Sequence, residues 1–150
     1  MNLRQLNFPS YEFRIQTTQQ KNLIFDIIRK KFVTLTPEEW VRQHVVHYLI
    51  QEHQVSPNRI AVEYALAWNG MNHRCDVLVF DNEFRPLLIV ECKAAEVPVN
   101  QPVFDQIARY NMKLKVPLLM VTNGLMHVYA RINFETKSVQ YLPELPLGNV

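Results

Sequence analysis

The stretch 73-HRCDVLVFDNEFRPLLIVECKAAE-96 decides the fold. Residues 74–80 and 86–92 are two apolar runs of strand length, joined by Asp81-Asn82-Glu83-Phe84-Arg85, a loop of ordinary hairpin size. The first run carries Asp76 near its start, and the second closes on Glu91-Cys92-Lys93. Charges in strands built for burial are costly unless something compensates them. Alternation puts Glu91 and Lys93 on one face with Cys92 on the other, and splits Asp76 from Cys75 in the same way. A symmetric loop then sets Asp76 across from or diagonal to Glu91, at the cross-strand separation of about 4.5 to 8 Å. Two carboxylates about 4 Å apart repel by roughly 4 kcal/mol at an effective dielectric near 20. Either one keeps its proton or a cation lies between them. A hard divalent cation held by carboxylate oxygens, Mg²⁺ foremost with Mn²⁺ as a substitute, is the economical solution. Lys93 would then hold or polarise a water, or offset charge on a phosphate. The same residues would also make an exposed cross-strand salt bridge with Asp76 in water, worth about 0 to 1 kcal/mol.

Upstream, 11-YEFRIQ-16 and 22-NLIFDI-27 alternate as an N-terminal hairpin, extending to about residue 33, with Arg29, Lys30 and Lys31 read as a solvated strand exit. The run 36-TPEEWVRQHVVHYLIQEH-53 opens with the marks of a helix start: Thr36 as N-cap, Pro37 at the first helical position, Glu38 and Glu39 in the first turn. Val41, Val45, Tyr48 and Leu49 recur at helical spacing as its core face. Ser56-Pro57-Asn58 ends it, residues 60–67 alternate as a strand, and Trp68-Asn69-Gly70 turns the chain. Downstream, residues 102–115 form a second helix with Phe104, Ile107, Ala108 and Asn111 along one face. Strands at 118–122 and 126–132 meet through Asn123-Gly124, a last strand lies near 138–142, and the Pro-rich end 143–150 is expected over the surface. The fold class is α/β, with the core order helix, three strands, helix, strand, strand in a single domain over residues 1–150.

Composition narrows the function. A chain of 150 residues with 48% hydrophobic and 20% charged residues suits one core. Its net charge of +2 permits an anionic partner without demanding one. Three glycines, Gly70, Gly124 and Gly148, leave no Gly-rich phosphate loop, so no nucleotide partner is expected. The opening MNLRQLNFPSYEF has no apolar core of signal-peptide length, and no run approaches the roughly 20 apolar residues of a membrane span; a cytoplasmic protein without a membrane partner is expected. Cys75 and Cys92 read as reduced, buried thiols packed as cross-strand neighbours on the face away from the metal. His44, His47 and His53 do not share a helix face and read as surface or boundary histidines. Arg74, Arg109, Lys113 and Lys115 would line a phosphate track or a solvated face.

The run 74-RCDVLVFDNEFRPLLIVECKA-94 resembles the core of the PD-(D/E)xK nuclease superfamily, with Asp76 at the first acidic position and 91-ECK-93 at the (D/E)xK; Cys75 stands where that signature has proline. The resemblance is closer to the N-terminal nuclease domain of type I restriction enzyme R subunits, through 34-TLTPEEWVRQHVVHYLI-50, 62-VEYALA-67, 91-ECKA-94, 104-FDQIARYN-111 and 120-MVTNG-124, over about residues 30 to 130. It implies a restriction-endonuclease-like αβββαβ core, a mixed sheet flanked by helices, with Asp76, Glu91 and the main-chain carbonyl of Cys92 as Mg²⁺ ligands and Lys93 as catalytic lysine. It also implies that Gln106 and Tyr110 face the substrate, since they match a Gln-x-x-x-Tyr element; on a helix this spacing shares a face, here off the apolar stripe. Many members draw a further acid from the first helix. Glu38 lies nearly in line with Val45 and Leu49 and points to the sheet, whereas Glu39 is turned about 100° away. The implied activity is Mg²⁺-dependent hydrolysis of phosphodiester bonds in DNA, without a motor in this chain. A second copy or another restriction or repair subunit would be the partner for double-strand breaks. The competing reading keeps the fold as a nucleic-acid-binding or protein-interaction module without turnover.

Overall fold

The computed structural model describes residues 3–68 and 70–148, apart from the side chains of Trp68 and Met71. Two sheets and two helices organise them. The first sheet, in the order β1-β2-β3, is an antiparallel meander of β1 (Ile15–Thr17), β2 (Asn22–Asp26) and β3 (Lys31–Thr34). The second has six strands in sequence order: β4 (Ile60–Trp68), β5 (Met71–Phe80), β6 (Pro86–Cys92), β7 (Leu118–Thr122), β8 (His127–Asn133) and β9 (Ser138–Leu142). Only β6 and β7 run parallel, because α2 (Gln101–Leu114) makes the crossover between them; every other neighbour is an antiparallel hairpin partner. The mixed α/β architecture read from the sequence is the one observed. The expected turn at 68–70 lies partly outside the described residues.

The sheet's pleat divides its side chains between two cores. Val77, Val79, Leu88, Val90, Leu118 and Met120 pack with α1 (Pro37–Gln51), while Leu78, Ile89, Leu119, Val121 and Ala130 pack with Phe104, Ala108 and Leu114 of α2. This is the two-sided burial that makes β6 and β7 read as unbroken apolar runs. Thr36 caps α1, its Oγ1 accepting the Glu39 N–H at 3.0 Å. Asn100 caps α2, its Oδ1 accepting the Val103 N–H at 3.1 Å.

Several expectations need correction, three of them around α1. The N-terminal hairpin is a three-stranded sheet that starts at residue 15; Tyr11 and Phe13 lie instead across α1, with the Phe13 ring 4.8 Å from both His44 and His47. Helix α1 therefore has no solvent face along Val41–His47: all seven residues are buried, and His44 and His47 are interior rather than boundary residues. Burial holds both imidazoles below the usual histidine range. Third, the Pro-rich end is no surface strap, since Leu145 and Leu147 are 3% and 1% exposed and join the core of α1.

The meander is tied to α1 by charge. Asp26, fully buried, accepts from the backbone N–H groups of Ile28 and Arg29, from Arg29 Nε at 2.6 Å and from Gln43 Nε2 at 3.0 Å. These donors hold its carboxyl below the usual range against the opposing effect of burial. Arg29 is thus a structural ion rather than a solvated strand exit. Gly124 fixes the other end of the N-terminal segment. Its φ of +87° favours glycine, and an added Cβ would meet Leu6 at 2.8 Å. Among the described residues no helix is long and apolar enough to cross a membrane.

Candidate active site

Strands β5 and β6 pair from Phe80 and Pro86 as far as Val77 opposite Val90, and there their pairing stops. Beyond that point the Cys92 N–H donates to Oδ2 of Asp76 at 2.7 Å, while Cys92 pairs with Thr122 on its other side. The Asp76 carboxylate stands where a main-chain carbonyl of β5 would have stood, so the strands open around it. The neighbouring strand shows the cause. Between Val62 opposite Val77 and Tyr64 opposite Cys75 the ladder skips Glu63 and Asp76, and Glu63 has a φ of 54°, a conformation uncommon outside glycine. This irregularity acts as a bulge does, twisting the strand and re-aiming a side chain.

Alternation breaks at that position. Val77 packs on the α1 side and Cys75 on the α2 side, although strict alternation would put them together. The two cysteines consequently fall in different cores instead of on one shared face; both are free and buried, and burial pushes both thiols up.

On the α1 side Asp76 meets a cation already present in the chain. Arg42, with a side chain 6% exposed, places Nη2 3.1 Å from Asp76 Oδ1, 3.0 Å from Glu63 Oε1 and 3.3 Å from Glu38 Oε1, and Nη1 2.8 Å from Glu39 Oε1. One guanidinium thus serves four carboxylates, a task suited to its planar fork of donors. Glu38 sits at the rim. Burial and the nearby Asp76 charge raise its carboxyl, while Arg42 and Lys93 oppose the rise. Glu39, expected to turn away from the sheet, is the more buried of the two acids and bridges Arg42 to Arg29 at 2.8 Å each.

On the α2 side, Glu91 and Lys93 line one cleft of about 350 Å³ with His73, Gln106 and Tyr110. Burial, then the Asp76 carboxyl beside it, raise Glu91, against a 2.6 Å hydrogen bond from His73 Nε2 to Glu91 Oε1. The same bond raises His73 in turn. Tyr110 packs its ring 4.6 Å from that of His73 and donates its hydroxyl to the Asn72 carbonyl at 3.2 Å. Gln106 is exposed one turn away. Asn111, from the expected apolar face, is buried and donates Nδ2 to Ile107 O.

The structure therefore brings Asp76, Glu91 and Lys93 around one opening, with Glu38 on its α1 flank and Gln106 and Tyr110 on its α2 flank. Arg42, Glu63 and His73 were not foreseen. A Glu38-to-Arg42 spacing of four residues was the available signal for the first, since these positions are neighbours on a helix. His73 and Glu63 carry no such signal, because both depend on the broken alternation. Among the described residues no three or more His, Cys, Asp and Glu side chains form a group that could hold a metal ion. The facing pair Asp76 and Glu91 offers two hard-oxygen donors with lone pairs to spare, a set that Mg²⁺ accepts when waters and phosphate complete the shell.

The family model described as the type I restriction enzyme R protein N terminus matches residues 37–146, from the first residue of α1 to beyond β9. No curated protein matches the chain. Covering well over half the sequence, that match means that the chain belongs to the family of type I restriction enzyme R protein N-terminal domains.

Proposed function

We propose that this chain is a Mg²⁺-dependent endonuclease domain that hydrolyses phosphodiester bonds of DNA, using the PD-(D/E)xK arrangement. Membership of a restriction-enzyme family points to a nuclease-like role. The observation that carries the finer reading is the opening between β5 and β6, where Asp76 and Glu91 face each other and Lys93 lines the same cleft. Asp76, Glu91 and the Cys92 carbonyl would hold the metal, which when bound supplies charge stabilisation to the phosphoryl oxygens. Lys93 holds and orients the attacking water through its ammonium, and Glu38, at the rim, accepts from that water. Gln106 and Tyr110 fix the strand against the cleft. Burial favours the acid form of Glu91, and a cation bound beside it would favour the carboxylate.

One observation favours the second reading, a binding module without turnover. Arg42 already neutralises Asp76 from the α1 side, and His73 already holds Glu91. Supercoiled-plasmid cleavage in Mg²⁺ or Mn²⁺ separates the two. Nicking by the parent that is lost in Asp76→Ala and in Lys93→Ala supports the nuclease; equal nicking by parent and Asp76→Ala refutes it.

A further inference from the structure

A second concavity, of about 520 Å³, runs from the active-site cleft along the outer side of α2 to the turn between β8 and β9. Arg109, Lys113, Lys115 and Lys137 line it, with Met112 and Phe134 as its half-buried apolar residues, and no carboxylate is among its described lining residues. For a chain whose net charge is only +2, four cations on one groove are a local concentration that the overall charge conceals. Gln106 and Tyr110 line both this groove and the cleft of Glu91 and Lys93, so the two are continuous through these side chains.

From this juxtaposition of cations, half-buried apolar side chains and continuity with the cleft, we infer that the groove binds an unpaired nucleic-acid strand leading into the active site. The inference rests on the nuclease reading for what happens at the end of the strand, and stands apart from it for the binding itself. The chemistry selects a single strand over a duplex. Cations alone would suit the phosphates of either, but a duplex hides its bases, whereas an unpaired strand can stack them on Phe134 and Tyr110. Arg109 and Lys113 lie four residues apart on α2 and are both exposed, so they form one stripe able to follow successive phosphates.

The test measures binding without cleavage: fluorescence anisotropy of a labelled oligothymidylate on the full chain carrying Asp76→Ala, in EDTA, over a range of salt. The variant Arg109→Glu/Lys113→Glu should weaken binding at least tenfold and flatten the slope of log affinity against log salt by about 1.4, the share of two lost phosphate contacts on a single strand. Phe134→Ala should weaken it roughly tenfold with the slope unchanged, as loss of one stacking platform does. Lys21→Glu/Lys31→Glu, on the three-stranded sheet, makes the same change in net charge and should leave affinity within about twofold. Three results would overturn the inference: unchanged affinity in the α2 variant, equal weakening by the control, or a blunt duplex of the same length bound as tightly as the oligothymidylate. A chain that binds through these residues yet never cuts plasmid would remove the nuclease and leave the groove. A chain that cuts but binds single strands elsewhere would do the reverse.

Discussion

Replacing Arg42 with methionine, a side chain of similar length without charge, isolates the ion that joins α1 to the opened strands. Removing one partner from a buried ion cluster costs about 3 to 5 kcal/mol, because the remaining charges stay buried without compensation. The geometry points to the lower end. Glu39 keeps Arg29 at 2.8 Å and Gln43 at 3.0 Å. Glu38 and Glu63, with side chains 47% and 30% exposed, lose pairs of the screened kind, worth about 0 to 1 kcal/mol each. The loss concentrates on Asp76, 16% exposed, which keeps the Cys92 N–H. A loss of about 3 kcal/mol is expected, equivalent to a fall of roughly 6 to 12 °C in Tm for a chain of this size. Urea unfolding followed by far-UV circular dichroism at pH 7.5 in EDTA measures it. A divalent ion at millimolar concentration should restore more stability to Arg42→Met than to the parent, since the freed carboxylates bind it only when folded. A loss under about 1 kcal/mol, with no difference in the divalent-ion effect, would refute the idea that Arg42 holds this cluster together.

The cleft pair gives opposite pH signatures. His73 is raised above its unfolded value, so its bond to Glu91 contributes stability fully below pH 6.5 and loses it as pH rises through the folded value; in Glu91→Gln the imidazole should titrate lower in an NMR pH series, and an unmoved titration would contradict the bond. Glu91 is also raised, which for an acid is the reverse case: its ionised form subtracts stability above the folded value and nothing below about pH 4.5. Glu91→Gln should therefore gain stability relative to the parent between pH 4 and pH 8 in urea melts, and a relative loss over that range would show that the His73 bond outweighs burial. Leu147→Ala, removing a side chain 1% exposed in the core of α1, should cost about 2 to 5 kcal/mol by chemical denaturation; a cost under 0.5 kcal/mol would mean the C-terminal segment is not part of that core.

What the sequence made legible is what local rules control. The Thr36 cap, the Pro37 start and the five-residue Asp81–Arg85 loop all act through neighbours a few positions away, and each fell where expected. Hairpin register brought Asp76 to the level of Glu91, one step beyond Val77 opposite Val90, but not the break in the ladder that opens the strands there. Helix α1 and its core face at Val41, Val45 and Leu49 were legible in the same way; what escaped was the burial of its opposite side at Arg42, Gln43, His44 and His47, polar residues that add no apolar stripe. Its outer cover comes from Phe8, Tyr11 and Phe13, in a stretch without strand or helix at those positions and therefore without a period. The buried Leu145 and Leu147 escaped for a related reason: a proline-rich segment announces a lack of regular structure, which is compatible with packing deep in a core.

The broken alternation at Glu63 and Asp76 explains why one carboxylate can serve both layers. In a regular strand the side chain of Asp76 would belong to a single face, reached either by α1 or by α2. With Glu63 in a left-handed conformation the ladder loses one pair, the β5 side chains change sides, and Asp76 is left in the plane of the sheet between β5 and β6. Arg42 then reaches it from one layer, while Glu91 faces it from the other. A departure from the strand rule, costing about 1 to 2 kcal/mol for a non-glycine residue in that conformation, is offset in part by Arg42, which binds the distorted residue's own carboxylate at 3.0 Å. The distortion and its compensation thus share one guanidinium, and that same guanidinium holds the acidic cluster together at the mouth of the cleft.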